Sequence, residues 1–281
     1  NAQTGWYVQT TPYPPYGCES IFFLNENTGW AAVYRIVIKT TNNGLNWTQL
    51  TNDLNIPLTD IHFINELTGW VVASSGIIRK TTNGGVNWFM GSCPDCSNAD
   101  DFLQVQFLNE NTGYAFGDQR VVKTTNSGLN WVPLDNNSII VYRGFFLDAN
   151  TGWIVGLGGS AKTTNGGLNW SQNQFTNNWC SSVYFRNNNT GWITSRAGEI
   201  FKTTNGGNNW NLQYLDSNRK FNGITFSSND TGWAIGEKIN PAYKYFLLKT
   251  INAGQTWNEQ QIPIANTSDI FMLNSLTGWI A

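Results

Sequence analysis

The sequence predicts an all-β fold of repeated four-stranded units, and three observations lead to this prediction. A box of the form Thr-x-Asn-x-Gly-x-x-Trp occurs six times, at a period of about forty residues. A second motif, Thr-Gly-Trp, returns with the same period, and Thr112-Gly113-Tyr114 is its variant. Short alternating apolar runs, bounded by Gly and Asn clusters, lie between the motifs and favour strands. A period of this length with strands and turns inside it is typical of a β-propeller blade.

Each repeat is predicted to contain four antiparallel strands, A to D in chain order. Strand A is the apolar run before Asn-x-x-Thr-Gly-Trp, as at residues 21–24, and strand B begins at the Trp of that motif. Strand C ends in Lys-Thr-Thr, as at residues 37–41, and strand D begins at the box Trp, as at residues 47–50. Gly29 and its equivalents are expected to supply a positive φ in the A–B turn, where a Cβ would be strained.

The recurring residues of the box are predicted to build the scaffold. The box Asn can bond neighbouring backbone N–H groups and hold the C–D turn, and the box Gly again supplies an unusual φ. The box Trp is expected to pack under the turn and between blades. A recurring Trp could instead offer its ring as a flat surface that binds a sugar, but its recurrence in nearly every repeat favours a packing role. These structural residues are Asn42, Asn83, Asn126, Asn165, Asn205 and Asn252, with Trp47, Trp88, Trp131, Trp170, Trp210 and Trp257.

The repeats predict one seven-bladed propeller domain over residues 1–281. Seven strand A segments occur, and six of them are followed by a full box. Trp6 lies 41 residues before Trp47, so it is expected to begin an outermost N-terminal strand that closes the last blade. That blade has no strand C in the sequence. Because an unpaired strand edge is a liability, we expect the natural chain to continue past Ala281, or another chain to supply the strand.

Composition excludes several classes of function. Charged residues are 12 % of the chain and the formal net charge is −2, so nucleic acid and anionic membranes are poor candidates for partners. No apolar run approaches the roughly 20 residues of a membrane span. The surface must instead be covered by Asn, Thr, Ser and Gln, which suits an extracellular protein. The start Asn1-Ala2-Gln3 is typical of what signal-peptide cleavage leaves, so we expect a secreted or cell-surface protein.

The repeat resembles a known family. The box resembles the Asp-box, or bacterial neuraminidase repeat, with Asn in place of Asp. The longer pattern Asn-x-x-Thr-Gly-Trp followed by Lys-Thr-Thr-Asn-Gly-Gly-x-Asn-Trp is similar to the repeats of Ycf48-like photosystem II assembly factors and of secreted bacterial proteins. This resemblance covers essentially the whole chain and implies a propeller whose boxes lie away from the functional face. Asp-boxes also occur in sialidases, glucanases, sortilin-type receptors and non-catalytic propellers, so the resemblance leaves the activity open.

Function is expected on the face opposite the boxes, which carries the variable B–C and D–A loops. The longest D–A insertions are residues 10–17, 91–101 and 173–180, and the longest B–C insertion is 237–245. The candidate binding residues on this face are Tyr16, Tyr34, Arg35, Asp118, Arg120, Trp179, Arg196, Glu199, Glu237 and Lys244.

The four cysteines, Cys18, Cys93, Cys96 and Cys180, are predicted to lie on this same face. An even number in a secreted chain favours disulfides, and four cysteines allow three connectivities. A local Cys93–Cys96 bridge is easier to form than a Cys18–Cys180 bridge, because the latter two lie across the ring. A single Cys-x-x-Cys is a weak signal for a redox motif and a weaker one for a thiolate metal site, so no metal is predicted.

Catalytic residues are hard to assemble from this sequence. The only histidine, His62, lies within a predicted strand A, which excludes a multi-histidine metal site and disfavours a Ser-His-Asp triad. The arginines needed by a sialidase are present, but its Arg-Ile-Pro segment is not. The sequence therefore favours a non-catalytic secreted propeller without a cofactor, which binds a protein or glycan partner or assembles with itself. The alternatives are a glycoside hydrolase and an assembly factor of the Ycf48 type, although the low charge disfavours the basic patch that such a factor implies.

Overall fold

The computed structural model of the chain describes residues 5–9, 17–50, 54–96, 101–117, 120–135, 140–240, 244–263 and 267–281. These residues form an all-β propeller of antiparallel four-stranded blades and contain no helix. The first sheet contains β1 (Cys18–Phe23), β2 (Gly29–Val33), β3 (Ile36–Thr40) and β4 (Thr48–Gln49). The second contains β5 (Leu58–Phe63), β6 (Gly69–Ala73), β7 (Ile78–Thr81) and β8 (Phe89–Met90). The third contains β9 (Gln104–Phe107), β10 (Gly113–Gly117), β11 (Arg120–Thr124) and β12 (Val132–Leu134).

The second half of the chain begins with a six-stranded sheet. Its strands are β13 (Val141–Phe146), β14 (Gly152–Thr163), β15 (Ser171–Phe185), β16 (Gly191–Ser195), β17 (Glu199–Thr203) and β18 (Asn211–Leu215). A four-stranded sheet follows, with β19 (Arg219–Phe226), β20 (Gly232–Lys238), β21 (Lys244–Thr250) and β22 (Asn258–Gln260). The last sheet contains β23 (Ile270–Met272) and β24 (Gly278–Ile280). The predicted strands A to D are confirmed in order, with bounds shifted by one to three residues.

The six-stranded sheet corrects one prediction. Residues 173–180 were expected to form a loop insertion, but they lie within the continuous strand β15. Its first residues pair with β14, and Cys180–Phe185 pairs with β16, so one strand serves two neighbouring units. The amide-rich composition of this segment suggested a loop, but its backbone remains extended because it is held by a neighbouring strand at each end.

The N-terminal segment also differs from the prediction. Residues 5–9 carry no strand, although Trp6 was expected to begin one. Trp6 nevertheless packs against a hydrophobic cluster that includes Ile270, Met272 and Ile280 of the last sheet, and Gln9 Nε2 donates to Asn43 O at 2.8 Å. Among the described residues, no strand lies between β24 and this segment, so it has no ladder edge to join. It contacts the last and first sheets through side chains instead.

Neighbouring sheets are held together by a repeated aromatic stack. The ring of Trp30 lies flat on Phe63 of the next sheet, with centroids 3.8 Å apart, and Lys39 Nζ lies 4.7 Å from the Trp30 ring centroid. Trp30 Nε1 donates to Gly84 O at 2.9 Å, in the box of the next sheet. The same stack recurs at Trp70–Phe107, Tyr114–Phe146, Trp153–Phe185, Trp192–Phe226 and, between the two ends of the chain, Trp279–Phe23.

The glycine of Thr-Gly-Trp has a different role from the predicted one. Gly29 does not have a positive φ. A Cβ built at Gly29 would lie 2.6 Å from Cδ1 of Phe23, so the position needs glycine because the Phe ring covers it. The box glycine behaves as predicted, since Gly44 has a φ of 79°.

A hydrogen-bond network closes each box. In the first, Thr40 Oγ1 donates to Asn42 Oδ1 at 3.0 Å and accepts from Gly44 N at 2.9 Å. Asn42 Oδ1 also accepts from Asn46 N at 2.9 Å. Trp47 then meets Phe23 edge-on, with centroids 5.9 Å apart. The box is therefore a self-contained turn that also positions one wall of the core.

Candidate functional site

The loop end of strand A is irregular in most sheets. The ladder between strands A and B shifts at Glu19, Thr59, Tyr142 and Ser181, each one residue after the first paired residue, and at Asn222, three residues after the first paired residue Arg219. A bulge of this kind redirects a side chain from the sheet face. The starts of strands A and the B–C turns share one end of the antiparallel sheets, so these residues lie on the loop face, at the mouth of the central channel.

One aromatic ring and two arginines meet at this mouth. Arg196 Nη2 donates to Tyr142 Oη at 2.7 Å, and Arg196 Cζ lies 5.4 Å from the Tyr142 ring centroid. Arg143 Cζ lies 5.8 Å from the same centroid, and Arg143 Nη1 donates to Leu103 O in the preceding sheet. The backbone N of Arg196 donates to Trp179 O at 2.8 Å. Two guanidinium groups thus flank one tyrosine, and Arg196 is exposed to solvent.

Glu199 adds a fixed carboxylate beside these residues. Ser195 Oγ donates to Glu199 Oε2 at 2.7 Å, and Thr176 Oγ1 donates to the same oxygen at 3.2 Å. These bonds hold the β16–β17 turn and join it to β15. Tyr142, Arg143, Trp179, Arg196 and Glu199 are together called the mouth cluster below.

A pair of carboxylates lies deeper, where three sheets meet. Ser20 Oγ is 2.6 Å from Asp60 Oδ1 and 3.0 Å from Asp269 Oδ2. Asp60 Oδ2 accepts from Val105 N at 2.7 Å, and Asp269 Oδ2 accepts from Ile21 N at 3.1 Å. A hydroxyl has one proton to donate, so a proton on one carboxyl group is needed to satisfy both contacts.

The pKa of Asp60 is consistent with such a shared proton. Burial raises the pKa of Asp60 to about 6, with Arg143 acting to lower it and Asp269 acting to raise it. Asp60 and Asp269 repel each other when both carboxylates are ionised, and the single Ser20 hydroxyl between them cannot offset this repulsion. The pair is therefore a structural link between sheets, since each carboxylate is already engaged by backbone N–H groups.

His62 and the cysteines have packing or covalent roles. Burial lowers the pKa of His62 to about 4, and its ring centroid lies 4.8 Å from that of Phe22, so His62 has a packing role in β5. Cys93 and Cys96 form a disulfide, whereas Cys18 and Cys180 are free thiols. Burial raises the pKa of Cys180 to about 12, so its thiol is not activated as a nucleophile.

The structure brings together only some of the predicted binding residues. Trp179, Arg196 and Glu199 belong to the mouth cluster: Arg196 N bonds to Trp179 O, and Glu199 ends the turn that carries Arg196. Tyr34 and Arg35 lie apart from it on the β2–β3 turn, where Arg35 Cζ is 5.0 Å from the Tyr34 ring centroid. Tyr16 and Asp118 lie outside the described residues.

The remaining predicted residues lie on two further loops. Arg120 donates to Asp95 O, inside the disulfide loop, at 2.8 Å. Glu237 and Lys244 belong to the long β20–β21 hairpin, where Glu237 lies 3.8 Å from Lys220 Nζ and Lys244 pairs with Lys238 across the ladder. These residues do not form one site with the mouth cluster.

Sequence reasoning missed Tyr142 as a binding residue. It considered Arg143 only as one of several sialidase-type arginines. The adjacent Tyr-Arg pair near the start of strand A was the one available signal, since the bulge at Tyr142 that places it at the channel mouth is not marked in the sequence. No group of three His, Cys, Asp or Glu side chains in the described ranges is placed to hold a metal ion. The same part of the chain has no helix long and apolar enough to cross a membrane.

Comparisons with known proteins agree with this architecture. The family model for the photosynthesis system II assembly factor YCF48 matches residues 39–140 and 173–268, together more than half of the chain. A search of curated proteins gave no match.

Solved structures share the fold at low sequence identity. A structure of YCF48 bound to D1 peptide is 17 % identical, with a TM-score of 0.75 over 98 % of this chain and 96 % of that one. YCF48 from Cyanidioschyzon merolae is 18 % identical, with a TM-score of 0.76 over 96 % and 94 %. An ancestral GH74 enzyme is 19 % identical, with a TM-score of 0.67 over 87 % of this chain but only 38 % of that one.

Proposed function

The chain belongs to the family of the photosynthesis system II assembly factor YCF48, and from this premise we propose that it is a non-catalytic binding propeller. Its partner is a protein segment that docks at the mouth cluster. The comparison that supports this choice is the similarly folded YCF48 whose structure holds a D1 peptide. The identity of that peptide is a property of that protein, and here it supports only the class of partner.

The observation that carries the proposal is the arrangement of Arg143, Tyr142 and Arg196. Arginine binds carboxylates through paired N–H groups, and arginine and tyrosine are enriched at the centres of protein interfaces. Arg196 is exposed at the channel mouth, and its bond to Tyr142 holds the guanidinium in place before a ligand arrives. A rigid site of this kind loses little conformational entropy on binding. The expected ligand is an extended segment that carries a carboxylate.

Two further features belong to the same proposal. We propose that the ring has seven blades in one domain, because the six aromatic stacks join successive repeat units: Trp153–Phe185 joins two units within the six-stranded sheet, and Trp279 meets Phe23 with centroids 3.4 Å apart. We also propose a secreted or cell-surface location. The Cys93–Cys96 disulfide supports it, since disulfides persist in oxidising compartments.

A glycoside hydrolase is less well supported. Asp60 and Asp269 are bridged by Ser20 and bound by backbone N–H groups, so neither is free to act on a glycosidic bond. The similarity to the GH74 enzyme covers 38 % of that protein and reflects the fold.

The test is selection from a phage-displayed library of random peptides, followed by fluorescence polarisation of the selected peptides. Arg196→Gln should weaken binding about 10- to 100-fold, because a hydrogen bond to a charged group contributes about 1.5–3 kcal/mol. Arg186→Gln is the matched control, because Arg186 lies at the A–B turn on the opposite face. The proposal fails if no peptide is enriched, or if both substitutions weaken binding equally.

A further inference from the structure

A polar cleft opens on the loop face beside β15, and the proposed function does not use it. Its volume is about 520 Å³, within the range of about 300–1,000 Å³ usual for small-ligand sites. Leu157 and Gly158 lie on one side, and Gln174, Thr176 and Asn177 lie on the other. Among the described residues that line it, none is charged, and the polar side chains are amides and hydroxyls.

At the cleft, the ladder between β14 and β15 is interrupted for four residues of β15. Gly159 pairs with Gln174 and Leu157 pairs with Trp179, so residues 175–178 have no partner on β14. Gly158 has a φ of 88°, which lets β14 turn without a side chain at that point. At Gly158 and Gly159 one wall of the cleft presents bare backbone, which a ligand can approach closely.

The amide groups on the other wall are available to a ligand. Gln174 and Asn177 are exposed, and their side chains make no hydrogen bond within the described part of the chain. Thr176 Oγ1 is fixed by Glu199, and Asn173 Nδ2 donates to Gly207 O at 2.8 Å, so the strand between them is held at both ends. The wall thus combines a fixed backbone with free donors and acceptors.

An aromatic surface lies at the edge of the cleft. Trp179 is directly opposite Leu157 in the ladder, and opposite residues of an antiparallel pair place their side chains on the same face. The Trp179 side chain is 43 % exposed, whereas the tryptophans of the Thr-Gly-Trp motifs are buried. Trp179 belongs to no repeat motif, so the packing role of the other tryptophans does not account for it.

We propose that this cleft binds a neutral saccharide. Hydroxyl groups of a sugar both donate and accept hydrogen bonds, which amide side chains and bare backbone can satisfy. The apolar C–H face of a pyranose ring packs on an exposed indole such as that of Trp179. The described lining residues offer no cation to a phosphate or carboxylate, and the Glu199 carboxylate bonded to Thr176 further disfavours an anionic ligand. This site shares Trp179 with the mouth cluster, but its amide wall, Gln174 and Asn177, lies outside that cluster.

The test uses four neutral probes: maltopentaose, cellopentaose, mannopentaose and chitopentaose. Saturation-transfer-difference NMR detects binding, and isothermal titration calorimetry measures the Kd, which we expect between about 10 μM and 1 mM for at least one probe. Trp179→Ala should weaken binding at least about tenfold, and the double change of Gln174 and Asn177 to Ala at least about fivefold.

Controls separate recognition from folding. Phe89→Ala and Asn258→Ala remove an exposed aromatic and an exposed amide elsewhere on the surface, and both should bind like the unaltered protein. Trp179→Phe keeps an aromatic face, so it should retain more affinity than Trp179→Ala if the latter folds poorly. Failure of all four probes to bind, or equal binding by cleft variants and controls, overturns the proposal. Because Trp179 belongs to both sites, the double change of Gln174 and Asn177 to Ala separates them: loss of binding of a mouth-cluster peptide in this variant would also overturn the proposal.

Discussion

Replacing Asp60 with Asn should stabilise the protein at neutral pH. Burial raises the pKa of Asp60 from its ordinary value of 3.8 to about 6, so the folded protein binds this proton more tightly than the unfolded chain does. The stability that Asp60 contributes is therefore fully present below about pH 4 and is lost as the pH rises through 6. At pH 7.5 the ionised carboxylate lies beside Asp269 and is partly offset by Arg143.

The size of the effect follows from the same values. One pKa unit corresponds to about 1.4 kcal/mol, so ionised Asp60 costs up to about 3 kcal/mol at neutral pH. Asn is nearly isosteric with the protonated acid. Its Nδ2 can donate to Ser20 Oγ, and its Oδ1 can accept from Val105 N, in place of the two contacts that Asp60 makes.

The assay is urea unfolding, followed by tryptophan fluorescence, from pH 4.5 to 8. The variant should be more stable than the unaltered protein by about 1–3 kcal/mol at pH 7.5, with the difference shrinking towards pH 4.5. His62, whose pKa is lowered to about 4, makes stability fall as the medium becomes acidic, so the difference between the two proteins isolates Asp60. A variant that is less stable at pH 7.5, with an unchanged pH slope, would refute the shared-proton interpretation.

Three further predictions follow from the packing and the thiols. Phe63→Ala should lower the free energy of unfolding by about 3–5 kcal/mol in urea, whereas Phe89→Ala, at an exposed site, should change it by no more than about 0.5 kcal/mol. Gly69→Ala should cost at least about 1–3 kcal/mol, because the new Cβ would lie 2.5 Å from Phe63 Cδ1; an unchanged Tm would contradict this. Cys180 should react with Ellman's reagent only after unfolding, because its thiol is buried. Rapid reaction of two thiol equivalents in the native protein would mean that both Cys180 and Cys18 are accessible, which would contradict this prediction.

The repeat was readable from the sequence because its signals are local. Asn42 and Thr40 are two residues apart and bond within one turn, so the motif itself predicts the geometry. The role of Gly29 was not readable, since it depends on the ring of Phe23 folding back over the glycine. The strand at residues 173–180 was misjudged because its amide-rich composition is typical of loops, while its extended shape comes from β14 and β16.

The candidate site was readable only in part, for a similar reason. Trp179, Arg196 and Glu199 stand out as polar or aromatic residues on a variable face. Tyr142 acquires its position from a bulge, which no local pattern in the sequence marks. The contact between Ser20 and Asp269 joins residues 249 positions apart, so no motif could have shown it.

The stack of Trp279 on Phe23 also has a consequence for the order of folding. Ser20 and Asp60 are 40 positions apart, whereas Ser20 and Asp269 are 249 apart. Each doubling of a closed loop costs about 0.6 kcal/mol of chain entropy, so this junction costs about 1.6 kcal/mol more to form than a junction between successive units. Successive units can therefore associate one after another along the chain, and the junction between first and last sheets forms at the end. The same junction is where the ring should begin to open when the chain is pulled from both ends.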